Sequence, residues 1–145
     1  MNGANNDDFG LFTNAPKNEL KGALRDFFRE YKDTLGSYVG ENLPTVINLS
    51  YGLANMVSDI TYLKDASSKK DGHKLDCVTR GIVYTVIRTL SDDGIVSPMS
   101  YERVAGLKSK KGQCAGNSIN EVYKSINASL KEFSISQLSE LAKDV

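Results

Sequence analysis

The sequence predicts an all-α domain, a compact bundle of five or six helices behind a disordered N-terminal tail. Apolar residues recur at spacings of three and four along most of the chain, and proline and hydroxyl-bearing residues fall where helices would begin. Polar, glycine-bearing stretches separate the periodic segments. With 145 residues, 40% of them hydrophobic, the chain can close one core and has no room for a second domain.

Residues 1–15, rich in Asn, Asp and Gly, read as a mobile tail, and residues 16–145 as the single helical domain. Phe9, Leu11 and Phe12 are the large apolar groups of that tail. Pro16 suits the first turn of a helix, whose buried face is drawn by Leu20, Leu24, Phe27, Phe28, Tyr31 and Leu35. Arg25, Asp26, Arg29 and Asp33 fall on its other, solvated face, spaced to pair with one another. Gly36 and Gly40 loosen its end.

Pro44 opens a second helix through Val46, Leu49, Leu53, Met56 or Val57, Ile60 and Leu63. Leu43 to Leu63 is the longest candidate for a membrane span, but Asn48, Asn55, Ser58 and Asp59 interrupt it. It is therefore expected to be a core helix, with no membrane as partner. Ala66 to Gly72 has the composition of a loop.

The segment from Leu75 to Leu90 is apolar on more than half of a helix circumference, which predicts the central element of the bundle. Its run Ile82-Val-Tyr-Thr-Val-Ile87 is also rich in β-branched residues. An α+β fold with residues 82–87 as a buried strand is thus the alternative, disfavoured because the neighbouring segments offer no partner strand. After Ser91-Asp-Asp-Gly94, Ser97 as cap and Pro98 in first position start a short helix bearing Tyr101, Val104 and Leu107. Ser118-Ile-Asn-Glu121 matches a capping box ahead of Val122, Tyr123, Ile126, Leu130 and Phe133. Ser134-Ile-Ser-Gln137 matches another and leads a last helix through Leu138 and Leu141.

Charge and cysteine usage narrow the function. Eighteen basic residues balance 18 acidic ones, so no global field draws the molecule to nucleic acid or to an anionic surface. The N-terminus, MNGANNDDFGLF, lacks the basic start and apolar run of a signal peptide, which predicts a cytoplasmic protein. Cys77 and Cys114 lie far apart with no CxxC and no histidine cluster, so neither a metal nor a cofactor is expected and nothing in the spacing indicates a disulfide. Cys77 reads as core, while Cys114, just ahead of a helix whose N-terminus would favour a thiolate, is the better candidate for a reactive thiol, with a small residue tucked under a loop as its structural alternative.

Other motifs fall short of their chemistry. His73, the single histidine, reads as a solvated loop residue. Thr89 to Ser100 outlines a calcium loop around Gly94, but Thr89, Ser91 and Ser100 stand where carboxylates belong, so a tight interhelical turn is expected. Gly106 to Gln113 has glycines and lysines without the spacing of a phosphate loop.

Function is therefore expected to be binding without catalysis, as a protein-protein interaction, adaptor or assembly component. Phe9, Leu11 and Phe12, beside Asp7 and Asp8, have the composition of a short motif that orders in a partner's groove. Short loops make successive helices antiparallel, which would bring Lys69, Lys70 and Lys74 to the same end as Lys108, Lys110 and Lys111, with Asp92 and Asp93 at the other. Such a basic rim could engage an acidic protein or, in the alternative reading, make the chain a nucleic-acid-binding helical module. An enzyme using Cys114 as nucleophile is a third reading.

Overall fold

A computed structural model describes residues 4–57, 72–107, 116–130 and 135–142. Among these residues the chain is predominantly helical and contains no strand. The order is α1 (Ala4–Val39), a 3-10 turn (Gly40–Asn42), α2 (Leu43–Val57), α3 (Gly72–Asp92), α4 (Pro98–Ala105), α5 (Gly116–Leu130) and α6 (Ile135–Ala142).

Helix α1 starts upstream of Pro16, which lies inside it and forgoes one helix hydrogen bond. Its described side chains begin at Glu19. Leu20, Leu24, Phe27, Phe28 and Leu35 are buried as their spacing predicts, and Arg25, Asp26, Arg29 and Asp33 are exposed. The chain leaves α1 through Gly40, whose φ of 60° lies in the left-handed region that penalises a β-carbon. Helix α2 then begins with Pro44 in its first turn and buries Val46, Leu49, Leu53 and Val57. Ser50 is also buried on this face, and its hydroxyl donates to the Val46 carbonyl at 2.7 Å. Ile60 and Leu63 lie outside the described residues. Among the described residues no helix is long and apolar enough to cross a membrane.

Helix α3 is the centre of the bundle, touched by α1, α2, α4 and α5. Ile82, Val83, Val86, Ile87 and Leu90 are all fully buried in it. The β-branched run therefore resolves as helix rather than strand, because neighbours surround the whole circumference and each apolar side chain finds a wall. The polar members are satisfied locally: the Thr85 hydroxyl donates to the Gly81 carbonyl at 2.6 Å and that of Thr89 to the Thr85 carbonyl at 2.8 Å. The helix starts at Gly72, so the backbone of His73 and Lys74 belongs to its first turn and not to the preceding loop.

At its far end α3 closes in a Schellman turn. The Gly94 N–H donates to the Ser91 carbonyl and the Ile95 N–H to the Leu90 carbonyl, both at 2.9 Å, with Gly94 at φ 77°. Ser97 then caps α4 by accepting from the Met99 N–H at 3.2 Å, with Pro98 in first position. The expected tight turn is present. Two residues at ligand positions of the calcium outline have other partners: the Thr89 hydroxyl is turned to Thr85, and that of Ser100 donates to the Tyr38 carbonyl at 2.8 Å, seating α4 on the end of α1.

Helix α5 begins ahead of Ser118, which places that residue in the first turn rather than at the cap; Ile119, Val122 and Ile126 face the core. Helix α6 begins directly after Ser134, as the second capping box predicts, and packs on α2.

Candidate functional site

Two arginines on α3 organise the polar interior. Arg80 is 2% exposed, and an unpaired charge at that depth would be strongly destabilising. Its partners come from three parts of the fold. Nε donates to the Asp76 carboxylate at 3.1 Å, one helical turn away; Nη1 donates to the Leu107 carbonyl at 2.9 Å; Nη2 donates to the Tyr31 hydroxyl at 3.1 Å. The guanidinium also lies over the rings of Phe27 and Tyr31, 5.5 and 5.3 Å from their centroids. Arg80 thereby joins α1, α3 and the chain leaving α4.

Two turns further along α3, Arg88 sits among three tyrosines. Its guanidinium is 4.3 Å from the Tyr123 centroid, 5.1 Å from that of Tyr101 and 5.9 Å from that of Tyr84, and Nη1 donates to the Tyr84 hydroxyl at 2.9 Å. Tyr84 meets both other rings edge-on. Partial burial works to lower the Arg88 pKa, but the Tyr123 and Tyr84 hydroxyls, the Tyr84 hydrogen bond and Tyr101 outweigh it and leave it raised. This cage is filled by the protein's own cation, so both arginines are committed to holding helices together.

The same contacts fix the path of α4. Tyr101 meets Tyr84 and Arg88, and Leu107, past the end of α4, meets Arg80. Helix α4 thus runs back along α3 toward its N-terminal half. Lys108, the next residue after Leu107, and Lys110 and Lys111 lie outside the described residues, as do Lys69 and Lys70. The backbone of Lys74 is in the first turn of α3, and its side chain is outside the described set. The same holds for Phe9, Leu11 and Phe12, which fall on the backbone of α1. Asp92 and Asp93 are exposed at the opposite end of α3, beside the exposed side chains of Ile95 and Met99.

Cys77 is buried, as its place on the apolar face predicts, and it is disulfide-bonded, which its spacing from Cys114 does not indicate. Sequence reading also misses Arg80 and Arg88. A signal for the first exists in the Asp76/Arg80 spacing of four inside an otherwise apolar stretch, a sign that the cation has a partner on its own helix. The three tyrosines around Arg88 come from three helices and carry no such local signal.

Comparison with protein-family models, with curated proteins and with solved structures returns no match.

Proposed function

We propose that this chain is a non-catalytic interaction or assembly component that docks an acidic protein on the lysine-bearing end of its bundle. The observation supporting this reading is the Arg80–Leu107 hydrogen bond, which returns the chain to the N-terminal half of α3 immediately before Lys108. Lys74 lies on the same helix about 9 Å of axis from Arg80, at 1.5 Å per residue. Lys69, Lys70 and Lys74 and then Lys108, Lys110 and Lys111 are in this reading two halves of one basic rim. Asp92 and Asp93 stand at the other end of α3, so the neutral total charge hides a polarity. A chain of zero net charge favours an acidic protein over a nucleic acid, which rewards a larger basic surface.

Binding of polyglutamate and of a duplex oligonucleotide, each measured across a salt series, tests the proposal. Polyglutamate should bind with a steep salt dependence, and the triple substitution Lys70→Glu, Lys110→Glu, Lys111→Glu should abolish it with little change in melting. Tighter binding of the duplex would favour the nucleic-acid module instead. Binding that survives the charge reversal removes the rim and moves the contact to Phe9, Leu11 and Phe12.

A further inference from the structure

Cys77 is 2% exposed on α3 and disulfide-bonded. The sequence contains two cysteines, Cys77 and Cys114. We infer that these two pair within the chain, and that the domain matures and works in an oxidising environment in place of the cytoplasm its N-terminal composition suggests. Burial argues for the intramolecular bond, because a second copy could not reach the Cys77 sulfur without displacing the helices packed over α3. The chain path argues for Cys114. Helix α4 delivers Leu107 to Arg80, Cys77 lies one turn upstream of Arg80 on α3, and Cys114 shortly precedes α5, which packs against α3.

The bond forms by exchange with a disulfide-bearing oxidant. One cysteine thiolate attacks the oxidant's disulfide and expels a thiol, and the second displaces the other, so two protein thiols become one disulfide while the oxidant takes up two electrons and two protons. Such bonds persist in oxidising compartments and are rare where glutathione keeps thiols reduced. A Cys114 so engaged has no thiolate to offer as a nucleophile.

Thiol counting and melting of the full chain, produced in an oxidising compartment, test this apart from any binding surface. Without reduction, the denatured protein should take up no maleimide, and after dithiothreitol it should take up two. A non-reduced peptide map should show the Cys77 peptide linked to that of Cys114. Reduction should lower Tm by roughly 10 °C, from the chain entropy released in the unfolded state. The Cys77→Ser, Cys114→Ser double variant should melt with the reduced protein; if that variant does not fold, reduced wild type supplies the comparison. Two labels before reduction, a disulfide-linked dimer, or equal melting of oxidised and reduced protein would overturn the inference.

Discussion

A β-carbon built on Gly81 would lie 2.7 Å from the Cβ of Val122, so α3 and α5 touch backbone to side chain at this crossing. Alanine at position 81 would raise helix propensity by about 1 kcal/mol, against overpacking of about 1–3 kcal/mol. Overpacking wins because the obstructing atom is a Cβ, which no rotamer moves. Gly81→Ala should therefore lower stability by about 1 kcal/mol, and at most about 2 kcal/mol, in urea denaturation, and adding Val122→Ala should restore part of it. Equal midpoints for wild type and Gly81→Ala would show that the two helices separate freely.

What the sequence discloses here is what depends on spacing alone. The apolar recurrence from Leu20 to Leu35 and the coverage of α3 from Cys77 to Leu90 follow from the helical period, and Ser97-Pro98 marks a helix start by local chemistry. Gly81 is silent in sequence because its meaning belongs to Val122. Arg80 misleads for a similar reason: an arginine on a helix reads as solvent-facing until a carbonyl 27 residues away and a hydroxyl 49 residues away are brought to it. The Cys77 bond leaves no local trace either.

The Arg80 node makes a second prediction. Arg80→Ala would leave the Leu107 carbonyl and Tyr31 hydroxyl without their guanidinium partner, and the loss should be about 3 kcal/mol. Lysine should recover less than half of this, because an ammonium cannot reproduce the planar fork. Tyr31→Phe should cost about 1 kcal/mol and couple to Arg80 in a double-mutant cycle. Additive losses would mean that the two side chains do not act together.

Val86 is fully buried in α3. Val86→Asp places a carboxylate with no partner among the fully buried apolar side chains of α3, at a cost of several kcal/mol. Circular dichroism should report an unfolded chain at room temperature. A folded variant with wild-type melting would contradict the central position assigned to α3.

Tyr51 supplies a pH test. Burial against Phe28 raises its phenol above the ordinary value, with Arg25 working to lower it and Asp26 to raise it further. Folding thus favours the protonated form. Its contribution is whole below the ordinary phenol pKa of about 10 and is lost as pH climbs through the folded value. Ultraviolet titration should show a phenol ionising above the ordinary value, and Tyr51→Phe should remove that late ionisation and flatten the alkaline decline in stability. A titration curve unchanged in Tyr51→Phe would place that late ionisation on another residue.

The long sequence separations around Arg80 also bear on how the domain comes apart. The Arg80 bonds span 27 and 49 residues, and contacts that close such large loops are expected after local helices and apolar docking have drawn the chain together, with the guanidinium hydrated until late on the folding route. Disrupting it should hasten unfolding and leave refolding nearly untouched. On this route the cation and its distant oxygens add to the lifetime of the native state more than to the speed of reaching it, which falls to the apolar stripes.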